Sequence, residues 1–60
     1  MNEYKFIGFT YEKLTNGKIY NVQVYHIFEF VYACIVIDAD IVVRSYDNQD
    51  WFDKDWQLIK

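Results

Sequence analysis

Five short antiparallel strands forming a small all-β barrel, with one helical turn near the C-terminus, is the fold class this 60-residue sequence predicts. Three observations carry the prediction. Asn16-Gly17 is a strong turn signal, because glycine accepts a positive φ without steric cost and asparagine tolerates it better than most residues. The stretch that follows alternates, with Tyr20, Val22 and Val24 on one parity and Asn21 and Gln23 on the other, the period of a half-buried strand. Finally, β-branched and aromatic residues crowd positions 27–37, beyond which an acidic turn leads into another apolar run.

Taken in order, Tyr4 to Thr10 reads as a first strand interrupted at Gly8, where a glycine marks a bulge or the close approach of another backbone. Tyr11-Glu12-Lys13 is a polar connector into the Asn16-Gly17 turn, and Ile19 to Tyr25 is the second strand. From Ile27 to Ile37 both parities are apolar, a pattern shared by a strand covered on both faces and a buried helix. Val31, Ile35, Val36 and Ile37, with aromatics at 28, 30 and 32, favour the strand. Asp38-Ala39-Asp40 then turns the chain, although no glycine supplies the positive φ that short hairpin loops prefer. Ile41 to Tyr46 returns as the next strand. Asp47-Asn48-Gln49-Asp50 has N-cap character and predicts a helical turn over Gln49 to Phe52. Trp56 to Ile59 closes the chain as a last short strand.

Composition bounds what such a domain does. A single domain of this size buries only about 60% of the surface its unfolded chain exposes, so its core is marginal without added support. Cys34 is the only cysteine and His26 the only histidine, which excludes an intrachain disulfide and a Cys/His zinc site. Hydrophobic residues make up 53% and aromatics 22%, more than the inner face of one small sheet absorbs. Homodimerisation through Phe28, Phe30, Tyr32, Cys34 and Val36, on one parity of the two-sided run, is the expected use of that surplus. Six basic against nine acidic residues give a net charge of −3, which disfavours nonspecific phosphate binding. The N-terminal residues lack a basic, apolar leader, and the longest apolar run, 30–37, is far short of the roughly 20 residues that span a bilayer. A cytoplasmic protein with no membrane anchor is expected.

The order of elements resembles that of small bacterial and phage proteins with an SH3-like barrel, which carry a pattern like L-T-x-G-K-x-Y-x-V. Leu14, Thr15, Gly17, Lys18, Tyr20 and Val22 stand in that pattern, Asp38 and Asp40 in its acidic turn, and Tyr46 with Trp51 and Phe52 in its last part. Two features depart from it: the acidic turn lacks a glycine, and the middle strand is longer and more apolar than a bare barrel requires. The resemblance implies the fold, and with it the concrete expectation of a phage or mobile-element accessory or inhibitor protein. Such a protein docks on a host protein, for example a defence enzyme.

The segment 47–56 concentrates four of the nine acidic residues among Trp51, Phe52 and Trp56. Tyr46, Asp47, Asp50, Trp51, Asp53, Asp55 and Trp56 are therefore the candidate partner-binding residues, aromatic anchors ringed by carboxylates that steer a basic surface. The plainer reading is that Phe52 and one tryptophan plug the open end of the barrel while solvated aspartates cap a short helix. Catalysis is not expected, since Cys34, the only thiol available to His26, sits in an apolar run where cysteine behaves as an inert hydrophobe. No cofactor or metal is expected either, because Asp38, Asp40 and Asp47 lack the spacing of a calcium loop. A nucleic-acid-binding barrel, with Tyr4, Tyr25, Phe28 or Tyr32 stacking bases, is the competing class. A purely structural subunit of a larger assembly is the third.

Overall fold

The computed structural model describes residues 2–60. Its strands are β1 (Asn2–Phe6), β2 (Ile19–Ile27), β3 (Phe30–Ile37), β4 (Asp40–Tyr46) and β5 (Trp56–Leu58), with a helix, α1 (Gln49–Asp55), between the last two. They form one antiparallel sheet in the order β4-β3-β2-β1-β5. The expected all-β, five-stranded architecture with a short helix near the C-terminus is what the chain adopts.

The period-2 pattern sets the faces. Tyr20 and Val22 on β2 and Val31, Ala33 and Ile35 on β3 are buried, and Phe6, Leu14, Phe52 and Trp56 complete the core. The first and last strands of the order, β4 and β5, sit at opposite margins of the curled sheet, and α1 spans the distance between them. Phe52 fills that opening, with the Tyr4 ring edge-on at 5.7 Å and the Tyr46 ring edge-on at 5.5 Å. Rings from β1 and β4 thus meet through one helical side chain. The Trp56 ring centre lies 5.0 Å from that of Phe6 and 6.0 Å from that of Tyr20, so the aromatic part of the core is a cluster of tilted and edge-on rings.

Several boundaries differ from the sequence reading, among them the end of β2, which runs to Ile27 rather than Tyr25, and the end of β5, which stops at Leu58 rather than Ile59. The expected first strand to Thr10 ends at Phe6; the Ile7 N–H still follows the β1–β5 register, donating to the Asp55 carbonyl at 2.7 Å, and the chain leaves the sheet after it. Gly8 makes the close approach its position suggested: a Cβ there would lie 2.5 Å from Asp55 Oδ1 and 2.9 Å from Phe6 Cζ. The run 27–37 is not one strand. Phe28 and Glu29 form a two-residue loop, with Ile27 paired to Phe30, and Phe28 takes φ 55°. That loop carries none of the usual turn residues, which is why periodicity ran straight through it. The acidic turn has the same form: Asp38 itself supplies the positive φ, 54°, and Ile37 pairs with Asp40. The helical turn, expected over 49–52, continues to Asp55.

Asn16-Gly17 holds its turn as read. Gly17 has φ 87°, the Lys18 N–H donates to the Thr15 carbonyl at 3.1 Å, and the Gly17 N–H donates to Phe6 O at 2.7 Å. The turn therefore locks β2 against the end of β1.

Candidate protein-docking site

Residues 7–18 form a long loop whose conformation is fixed from within. Tyr11 and Leu14 exchange backbone hydrogen bonds of 2.9 Å, and buried Leu14 anchors the loop in the core. The Tyr20 hydroxyl accepts from the Thr15 N–H at 2.8 Å and donates to the Lys13 carbonyl at 3.2 Å. Asn16 donates through Nδ2 to the Gly8 carbonyl at 2.7 Å. Opposite the loop stands α1, capped by Asn48, whose Oδ1 accepts from the Trp51 N–H at 3.0 Å. Its Gln49 side chain reaches Asp53 at 2.8 Å and His26 of β2 at 2.8 Å.

Between loop and helix lies an open cleft of about 480 Å³. Ile7 and Phe9 line it from the loop and Trp51 and Lys54 from the helix, with Tyr46 and Asp55 also in its wall. Phe9 is 95% exposed and Trp51 53%, so two large rings are held in water by rigid supports. The Lys54 ammonium sits 4.4 Å above the Trp51 ring.

Tyr46 organises the polar part of the cleft. Its hydroxyl donates to Asp55 Oδ2 at 2.8 Å and accepts from Trp56 Nε1 at 3.0 Å. Burial pushes the Tyr46 phenol up to about 12 and the hydrogen bond to Asp55 pushes the same way, against a smaller downward pull from Trp56. The phenol is thus held neutral, a fixed donor rather than a base or nucleophile. Among the described residues no group of three or more His, Cys, Asp or Glu is placed to hold a metal ion, and no buried side-chain polar atom lacks a partner.

Of the residues singled out in the sequence, Tyr46, Trp51 and Asp55 come together in the cleft. Asp47, Asp50 and Asp53 are exposed outside its lining, on α1 and the loop that precedes it. Trp56 is a correction: only 3% exposed, it is a core ring, and with Phe52 it plugs the end of the barrel. Two carboxylates have local structural roles, Asp53 accepting from Gln49 and Asp55 from Tyr46. Ile7, Phe9 and Lys54 were not expected in the site. The available signal was Phe9, a bulky apolar residue directly after the glycine that ends the first strand.

The other expected cluster lies on the opposite side of the sheet. Phe30, Tyr32, Cys34 and Val36 share the outer face of β3, with Tyr32 beside Tyr25 of β2 and Cys34 beside Val43 of β4. Phe28 is not on that strand face; it sits at the hairpin tip, 92% exposed. A second cleft, between the 11–14 segment and β4, has Arg44 5.5 Å over the Tyr11 ring and an exposed Lys13–Asp40 pair at 3.4 Å.

No family model, curated protein or solved structure matches the chain. No described helix is long and apolar enough to cross a membrane.

Proposed function

We propose that the chain is a non-catalytic protein-binding module that takes an apolar and basic segment of another protein into the cleft between the 7–18 loop and α1. The observation that supports this reading best is the pair Phe9 and Trp51, large rings kept in solvent on opposite walls of a preformed cleft. Rings so placed contribute little to folding, yet each desolvates a large area when covered, as interface anchors do. Exposed Asp47, Asp50 and Asp53 near the cleft favour a basic approaching surface, chiefly through the association rate. The concrete form implied by the resemblance is a phage or mobile-element accessory protein in the host cytoplasm that docks on a host protein, such as a defence enzyme, and blocks it.

Capture from host lysate tests the site. The unaltered chain retains its partner, and Phe9→Ser together with Trp51→Ala weakens retention at least tenfold, since anchor residues are worth about 2 kcal/mol or more each. Asp50→Asn slows association, and Val43→Lys on the opposite face changes nothing. Equal capture by the Phe9/Trp51 variant, with its circular dichroism unchanged, sinks this reading. Capture that collapses on nuclease treatment and falls steeply with salt assigns the chain to nucleic acid instead.

A further inference from the structure

We propose that the outer face of β2, β3 and β4 is a self-interface, through which two copies of this chain pack face to face. The inference does not rest on the docking cleft, which lies on the other side of the sheet. Tyr25, Phe30, Tyr32, Cys34 and Val43 lie on that face, and Ile41 adds an apolar side chain that is 67% exposed. Ile19, Tyr25, Ile27, Phe30 and Val43 on the same face are 40–61% exposed, an apolar patch of the kind that marks an interaction surface.

Charge favours a second copy as the occupant. None of the residues that β2, β3 and β4 place on this face is charged; the remaining positions include Asn21, Gln23 and Ser45. Charges stand only at its margins: Glu29 and Asp38 in the two hairpin loops, and Glu3 and Lys5 on β1, which are of opposite sign and pair in register with Asn21 and Ile19. The helix side carries Asp47, Asp50 and Asp53. Two chains of net charge −3 therefore meet with little like-charge contact through this uncharged side, and a neutral face offers no charge pattern by which to select a foreign partner.

An exposed ring at the edge of the patch points the same way. Phe28, between Ile27 and Phe30, holds a positive φ that a bulky residue adopts at a cost, with its ring 92% exposed. The Ile27–Phe30 pairing holds that conformation within one chain, and a second copy would cover the exposed ring.

Sedimentation equilibrium over a concentration series is the test, with Cys34 alkylation as a site-specific readout. The unaltered chain is expected to rise from the mass of one chain to that of two, and Cys34 to react more slowly as the dimer forms. Val43→Lys is expected to hold the chain at one mass and the alkylation rate at its dilute value. Phe28→Asn is expected to raise the dissociation constant roughly tenfold while raising the melting temperature of the dilute monomer. A single-chain mass at every concentration overturns the proposal, as does a mass beyond two chains. A dimer in which Cys34 reacts at its dilute rate overturns it too, and that measurement needs no variant to fold.

Discussion

Tyr46 is the residue on which cleft and core both depend. It closes a short relay in which Trp56 Nε1 donates to its hydroxyl and the hydroxyl donates to Asp55, while its ring packs edge-on against Phe52. Tyr46→Phe keeps the ring and removes the relay, leaving the indole N–H of a buried tryptophan without its acceptor. The expected loss is about 1–2 kcal/mol, read from urea unfolding below pH 10. The same residue sets a pH dependence. Its folded-state value of about 12 lies above the ordinary 10.0, so its contribution is whole below pH 10. Between 10 and 12 the unfolded chain ionises first, and stability falls until the folded phenol ionises as well. In Tyr46→Phe this part of the alkaline decline disappears, and with it the tyrosinate absorbance step near 12. An unchanged alkaline limb in the variant would contradict the assignment.

At the scale of elements, α1 has only seven residues and cannot persist by propensity. Its cap at Asn48, the Phe52 anchor and the seam with the 7–18 loop hold it. Gly8 makes the seam possible, because any side chain there meets Asp55 Oδ1 at 2.5 Å and the buried Phe6 ring at 2.9 Å. The Asp55 carboxylate is tied to Tyr46 and does not yield freely. Gly8→Ala is therefore expected to cost about 1–3 kcal/mol and to weaken partner capture along with stability, since it parts the loop from the helix. A neutral effect on both would show that the seam is looser than these distances imply. Gly17, with open space around its α-carbon, is needed instead for its φ of 87°.

For the whole molecule, the decisive feature is closure by a side chain. β4 and β5 lie at opposite ends of the strand order, and Phe52 links them through Tyr46 of β4 and Trp56 of β5, which are also joined by a hydrogen bond. Phe52→Ala removes the ring that Tyr4, Tyr46 and Trp56 share and opens a cavity at the barrel end. The expected cost, about 3–5 kcal/mol, is most of the stability of a domain this small, so the variant is largely unfolded at room temperature by circular dichroism. If the outer faces pair as proposed, high protein concentration partly restores it by mass action.

Local chemistry made much of this legible from the chain alone. The Asn16-Gly17 turn, the alternation of β2, the odd and even faces of β3 and the capped helical start at Asn48 each depend on neighbouring residues, and each stands where the pattern placed it. What pattern could not reveal arises where distant segments meet. Phe28 and Asp38 adopt positive φ because strand pairing on either side demands a two-residue loop. Trp56 became core because β5 lands beside β1, which turns an aromatic in an acidic stretch inward. Phe9 and Trp51, forty-two positions apart in the sequence, face one cleft only because Gly8 lets the loop close on Asp55. The sequence by itself determined the strands, their buried faces and the polarity of the surface, since period and turn chemistry are local. The tertiary structure alone decided which aromatics are core and which stand free beside the cleft, because burial is a property of long-range contact.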